Sequence, residues 1–233
     1  MAALNKGEIV RINYTARIVE NDKVFDTTSA DVAKEAGIFN EKYSYAAMPY
    51  IIGSGRFFKV LDEAVAAAEV GKETEVEIKC EDAAGERDPK LVETYPIKEF
   101  YKQEIMPVPG LEVKLGDRTG TVMTVGAGRV KVDFNNFLAG KDLKYTFKVE
   151  EIMEDKAAKA DAIVQMDFGT AEGFSFDFTD DKVTVNVSDL TKFSQNWMMA
   201  KFRIVNDLRE SVGIDTIEFV ETWAKPAEKK KEE

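Results

Sequence analysis

The chain has 233 residues, long for one compact domain and comfortable for two or three, and its 44% hydrophobic and 32% charged residues are an ordinary globular composition. A formal net charge of −11 argues against a nucleic-acid partner, whose phosphates need clustered Lys and Arg. With no histidine and Cys80 as the single cysteine, an intrachain disulfide, a His-Cys zinc site and Ser-His-Asp or Cys-His catalysis are all excluded. No apolar stretch approaches the length of a membrane span, and Met1 to Glu8 carries no apolar signal core, so a cytoplasmic protein without a membrane partner is expected.

Val10, Ile12, Tyr14, Ala16 and Ile18 alternate with polar residues at period two and predict a first strand. Phe57, Val60, Leu61, Ala64, Val65 and Ala68 recur at helical spacing, and Gly71 stands just beyond the short amphipathic helix they predict. Glu75 to Cys80 alternates again, placing Val76, Ile78 and Cys80 on one face and making Cys80 core filler. From Gly85 a polar link runs through Pro89 and Pro96 to Phe100 and opens a new domain. There Leu111 to Leu115, Thr121 to Val125 and Arg129 to Asp133 predict strands. The last two are joined by Gly126-Ala127-Gly128, whose glycines tolerate the positive φ of a tight reversal. No Gly-Lys-Ser and no helix follows, so this is no phosphate cradle.

Leu143, Tyr145, Phe147 and Val149 alternate as a further strand, and Glu154 to Asp161 predicts a short linker. Beyond it Phe174, Phe176, Phe178 and then Val183, Val185, Val187 predict two strands turning at Asp180-Asp181. A helix from Ser188 or Asp189 to near Gly213 is expected to carry Leu190, Phe193, Trp197, Ile204 and Leu208 inward, and Ile217 to Val220 closes a ββαβ unit. Trp197, Met198, Met199 and Phe202 nearly ring that helix with apolar surface, which fits either self-association or packing within the chain. The run Lys229-Lys230-Lys231, followed by Glu232-Glu233, reads as a frayed, solvated end.

The segment Asp133-Phe134-Asn135-Asn136-Phe137-Leu138-Ala139-Gly140-Lys141, followed by Leu143-Lys144-Tyr145-Thr146-Phe147, carries more information than any of these patterns. It resembles the Asp-Phe-Asn-His-x-Leu-Ala-Gly-Lys signature by which FKBP-type peptidyl-prolyl isomerases of the SlyD and long archaeal kind return from an inserted flap domain to their half-barrel. Tyr14, Val24-Phe25-Asp26, Tyr50-Ile51-Ile52-Gly53 and Val70-Gly71 occur upstream in the matching order. The resemblance covers roughly the first two thirds of the chain, and Asn136 stands where the family usually has histidine.

The resemblance implies an α+β fold: an FKBP-like antiparallel half-barrel wrapped on a short helix, formed by residues 1–85 and 138–154. An inserted small β-rich flap domain would span 86–137, and a C-terminal ββαβ domain 155–233, similar to the dimerisation module of long archaeal members. It further implies a peptidyl-prolyl cis-trans isomerase with chaperone activity, acting on unfolded or nascent polypeptides with X-Pro bonds, with no cofactor and no metal. Such an enzyme lowers a rotational barrier of roughly 18–20 kcal/mol without making or breaking a bond, so an apolar, aromatic cleft that favours the twisted amide suffices.

By resemblance Tyr14 and Asp26 take the catalytic positions, and Phe25, Tyr50, Phe57, Phe58, Leu61, Ala84 and Tyr145 the substrate-binding ones. Ile105, Met106, Val108, Met123 and Val125 supply a chaperone surface in the insert. Without the resemblance, Tyr14, Phe25 and Tyr50 read rather as barrel core and Asp26 as a turn-capping carboxylate.

Two departures bear on the pocket. Ala84 replaces the tyrosine whose hydroxyl contacts the substrate carbonyl in relatives, a hydrogen bond worth on the order of 0.5–1.5 kcal/mol. Phe57-Phe58-Lys59-Val60 replaces a slimmer, glycine-ended pattern, implying a narrower or partly self-filled slot. The alternative these departures favour is a non-catalytic holdase or assembly scaffold on an FKBP fold with a degenerate pocket. A hydrolase using Asp177 with Asp180 or Asp181 has less support, because Asp is favoured at hairpin turns for local reasons.

Overall fold

The structure, a computed structural model, describes residues 4–224; the basic run at Lys229 to Lys231 lies outside them. In chain order come β1 (Ile9–Ile18), β2 (Lys23–Thr27), α1 (Ala30–Glu35), β3 (Met48–Ile51), α2 (Lys59–Ala67) and β4 (Glu73–Ile78). Then follow β5 (Val92–Pro96), α3 (Ile97–Tyr101), β6 (Glu112–Leu115), β7 (Arg118–Gly126), β8 (Arg129–Asp133) and β9 (Leu143–Ile152). The chain continues through α4 (Lys156–Phe168), β10 (Ser175–Phe178), β11 (Lys182–Asn186), α5 (Trp197–Val212) and β12 (Thr216–Val220). A five-stranded sheet has the order β2-β1-β9-β4 with β3 also on β1, a four-stranded sheet the order β5-β8-β7-β6, and a three-stranded sheet the order β10-β11-β12. This is the α+β class expected of a half-barrel with an insert and a C-terminal domain.

The described chain divides into two compact units, one of residues 4–15, Asp26–Glu75 and residues 146–224, the other of Ala16–Phe25 and Val76–Tyr145. In the first, β3 pairs antiparallel with β1, Ile9 opposite Ile51 and Val10 opposite Tyr50. Ile9 and Ile51 enter a core with Met153, Ile163, Val164, Val183, Val185, Trp197, Ile204, Leu208 and Ile214. β11 pairs antiparallel with β10 but parallel with β12. A parallel neighbour cannot be reached by a tight turn, and α5 is the crossover that reaches it.

In the second unit, Phe100, Val113, Val122, Val130 and Val132 form the buried centre of the four-stranded sheet. The β7–β8 hairpin turns through Ala127 and Gly128, both at positive φ (49° and 71°), as a two-residue turn of the twist-matched kind demands. Gly126 ends β7 as an ordinary strand residue, so the reversal falls one residue later than the glycine pair suggests.

Several expectations are corrected. β4 stops at Ile78, and Cys80 begins a half-buried 3-10 turn because its N–H is taken by Asp142 Oδ1 at 2.9 Å; it is not core filler on a strand. The polar link after Gly85 contains β5 and α3, with Pro96 tolerated at a strand end where its missing N–H costs little. The linker expected at 154–161 is the start of α4. Asp155 caps it by accepting from Ala158 N at 2.8 Å, and the alanines between its charges are strong helix formers. The last unit is therefore αββαβ. The helix expected from Ser188 is a 3-10 turn (Asp189–Thr191) followed by α5, which leaves Leu190 and Phe193 outside, 55% and 88% exposed. Trp197, Ile204 and Leu208 are buried as expected, and Gly213 ends α5.

Phe100 has no exposed surface in a small core. Phe100→Ala should cost about 3–5 kcal/mol and strip hydrogen-exchange protection from β7 and β8; unchanged protection would show that the insert's core does not depend on this ring.

Candidate active site

In the first unit, Tyr14 is held through its backbone. Its N–H donates to Thr28 Oγ1 at 2.9 Å, and its carbonyl accepts from Thr28 N at 3.0 Å and Thr27 Oγ1 at 3.1 Å. Its hydroxyl donates to Asp26 Oδ2 at 2.7 Å, and Asp26 is exposed. Phe57 meets Tyr14 edge-on, with centroids 5.9 Å apart at 81°, and stacks on Tyr50 at 4.3 Å and 19°. Tyr50 and Leu61 are each 1% exposed and lie behind this group, whereas Phe57 and Phe58 are half-buried.

Tyr50 is oriented by Asp62, a residue the sequence reading missed. Asp62 Oδ1 accepts from the Tyr50 hydroxyl at 2.7 Å and from Gly53 N at 2.9 Å. Burial, followed by the hydrogen bond to Asp62 and that carboxylate's charge, holds the Tyr50 phenol well above its usual value, so it stays a neutral donor. The available signal was a carboxylate in the first turn of α2, where the helix dipole favours negative charge.

In the second unit, Phe25 meets Tyr145 edge-on at 6.1 Å and 85°, and Phe137 at 6.1 Å and 73°. Phe137, 61% exposed, occupies the variable slot of the flap-return signature, which hid it from sequence reasoning. Ala84 is half-buried in a turn closed by Gly85 N donating to Cys80 O at 2.7 Å, and its methyl offers no donor. Asn136 Oδ1 accepts from Leu138 N at 2.9 Å, so the residue in the histidine position serves as the local turn former.

Of the proposed chaperone residues, Met106, Val108 and Met123 are 75%, 52% and 40% exposed, Met123 standing out where the β7–β8 register shifts between Val122 and Thr124. Ile105 and Val125 are half-buried and pack on the insert's own core.

A cavity of about 530 Å³ in the first unit involves none of these rings. Ile51 to Ser54 and Arg56 line it together with Lys6, Arg203, Asn206, Asp207 and Glu210. Burial pushes Asp207 up to about 6, with Arg56 pulling down and Asp167 pushing up. Among the described residues, no helix is long and apolar enough to cross a membrane.

A family model described as FKBP-type peptidyl-prolyl cis-trans isomerase matches residues 2–99, one described as FKBP26, IF domain, matches 93–138, and one described as FKBP26 C-terminal matches 156–224. The short-type peptidyl-prolyl cis-trans isomerase of Methanocaldococcus jannaschii is 33% identical over 149 residues, 64% of this chain and 94% of that one. The chain belongs to the FKBP-type peptidyl-prolyl cis-trans isomerases. The FKBP-type isomerases SlyD of Escherichia coli and of Shigella flexneri are each 30% identical over 132 residues, 53% of this chain and 65% of theirs. Prolyl isomerisation is thus the enzymatic class of this chain, and polypeptides are its substrates.

In this isomerase Asp207 binds a proton when folded between the ordinary carboxylate value of about 3.9 and about 6, where the unfolded chain has released it. Stability contributed by Asp207 therefore falls as pH rises through that window. Asp207→Asn should remove this component, so the difference in denaturation midpoint between parent and variant should change from acid to neutral pH. A pH-independent difference would place the Asp207 titration elsewhere.

Proposed function

We propose that this FKBP-type isomerase twists X-Pro bonds beside Tyr14 and Asp26, with the prolyl ring against Phe57 and Phe58, and that its insert holds unfolded or nascent chains through Met106, Val108 and Met123. The observation that carries the catalytic half is the 2.7 Å hydrogen bond from the Tyr14 hydroxyl to Asp26 with the Phe57 ring edge-on beside it. Apolar rings withdraw water from the amide, and the twisted amide, having lost resonance, suffers less from that withdrawal than the planar one. The hydrogen bond fixes where the carboxylate stands relative to the rings. Tyr50 and Leu61 back the wall from the interior, and Phe25, Ala84 and Tyr145 are assigned to substrate contact by family resemblance alone.

Losing the tyrosine donor at Ala84 costs on the order of 0.5–1.5 kcal/mol, or roughly a two- to tenfold slower enzyme, far short of abolishing a gain that needs several such increments. The insert acts by effective concentration, since a weakly held chain returns its prolyl bonds to the site repeatedly. Methionine's flexible thioether suits such unspecific contact, and β5 and β6 are edge strands open to pairing with an extended client.

The test is refolding of a protein limited by a slow prolyl step, run alongside aggregation of the same client. Asp26→Ala should cut the acceleration about tenfold or more and spare aggregation suppression. Met106→Ser with Val108→Ser and Met123→Ser should do the reverse while leaving turnover of a short prolyl peptide unchanged. Acceleration indifferent to Asp26 would remove that carboxylate from the mechanism, and suppression without acceleration in the parent would mean a holdase.

The C-terminal part is proposed to pair two copies. Phe193, Met198, Phe202 and Trp223 are 88%, 78%, 67% and 66% exposed, and Phe193 meets Trp223 edge-on at 6.1 Å, an apolar surface of the kind that usually has a partner. Sedimentation should give a dimer that Phe193→Ser with Phe202→Ser converts to monomer; a monomeric parent at micromolar concentration rules the dimer out.

A further inference from the structure

The segment joining β3 to α2 turns through Gly53 and Gly55, both at positive φ (76° and 69°), before reaching Phe57 and Phe58. Glycines permit that path but do not enforce it, so the position of the Phe57 ring depends on side chains that hold the segment. Asp62 holds one end through Gly53 N at 2.9 Å. Arg56 holds the other. Its Nη2 lies 3.0 Å from Asp167 Oδ1 in the last turn of α4 and also pairs with Asp207 of α5.

The receiving carboxylate is unusual. The Asp167 side chain has no exposed surface, and its Oδ1 also accepts from Arg203 Nε at 3.1 Å while Arg203 Nη2 donates to the Asp167 carbonyl at 3.0 Å. Among the described residues its Oδ2 has no donor within hydrogen-bond geometry, and its side chain acts on neighbouring Asp207 by charge and hydrogen bonding. Lys6 and Glu210 complete the charged lining of the cavity beside it. Asp167 is buried while the Arg56 and Arg203 side chains that meet it keep 29% and 45% of their surface exposed; a buried carboxylate contributes little net stability, and the planar guanidinium that reaches it instead fixes a direction. The direction it fixes is that of the residue preceding Phe57.

We infer that Arg56 is a positioning residue for prolyl isomerisation: anchored to Asp167 and Asp207, it holds the glycine-bearing segment so that Phe57 stays stacked on Tyr50 and edge-on to Tyr14. The C-terminal helices α4 and α5 thereby set the shape of the pocket wall. This rests on the assignment of Phe57 to the substrate pocket.

The experiment uses the full chain and a short prolyl peptide, assayed well below the melting temperature, with Arg56→Ala, Arg56→Lys and Phe57→Ala. Arg56→Ala is expected to lower kcat/KM about tenfold, equivalent to ~1.4 kcal/mol, chiefly by raising KM, because the wall is displaced while Tyr14 and Asp26 are untouched. Arg56→Lys, which keeps the charge and reach, should recover at least part of that loss. If Phe57→Ala raises KM but Arg56→Ala does not, the positioning role is overturned and the pocket assignment stands. If Phe57→Ala has no effect, the pocket assignment fails and the role of Arg56 with it. Should Arg56→Ala not fold, Arg56→Gln takes its place, and a KM equal to the parent's in Arg56→Gln overturns the proposal.

Discussion

One apolar core carries both the β1–β3 pair and the C-terminal helices. Ile9 and Ile51 face each other across β1 and β3 and are buried with Ile163, Val164, Ile204 and Leu208 from α4 and α5. Each such side chain contributes about 1.5–3 kcal/mol on burial, whereas an exposed helix pair such as Lys59 with Glu63 contributes roughly 0–1 kcal/mol. The core therefore decides where α4 and α5 lie, and the charges adjust to it. Tyr50 stands one residue before Ile51, so the strand that enters this core also delivers the ring on which Phe57 stacks.

Two carboxylates translate that packing into the geometry of a short loop. Asp62, at the start of α2, gathers the Tyr50 hydroxyl and the Gly53 amide onto one oxygen. Asp167, at the end of α4, gathers Arg56 and Arg203 onto one oxygen. Both are buried or half-buried where an unpaired charge would be expensive, so their donors are held firmly. Neither carboxylate belongs to the reacting group itself. If Phe57 lines the pocket as proposed, they set how its ring is presented, in a reaction whose catalysis consists of shape and desolvation rather than bond chemistry.

The insert shows how a small domain divides apolar residues between its own stability and a surface. Ile105 and Val125 pack on Phe100, Val113 and Val122, while Met106, Val108 and Met123 remain outside. Composition does not separate the two sets, since every one of them is an apolar residue, Ile105, Met106 and Val108 in the loop between α3 and β6 and Met123 and Val125 in β7. For Met123 the register shift does, because one extra residue in β7 changes the face on which a side chain emerges.

Period-two alternation located β1, β6, β8 and β11 within a residue or two and the start of β9, because a strand with one buried face leaves that imprint whatever lies across from it. The order of Tyr14, Phe25-Asp26, Tyr50 and the flap-return signature was enough to recognise the family. Where local pattern and long-range contacts disagree, the alternation misled: Cys80 continued the pattern of β4, yet Asp142, sixty-two residues later in sequence, takes its amide and ends the strand. The charges of Glu154 to Asp161 looked like a linker because the residues that bury the inner face of α4 arrive only with α5 and β3. Phe137, Asp62 and Arg56 were equally hidden, since their partners are Phe25, Tyr50 and Asp167, and sequence spacing says nothing about which distant side chains meet. Chain pattern thus determined most of the strands and the family; the placement of α4 and α5, and through it the stacking of Phe57 on Tyr50, arose from burial and ion pairing between residues far apart in the chain.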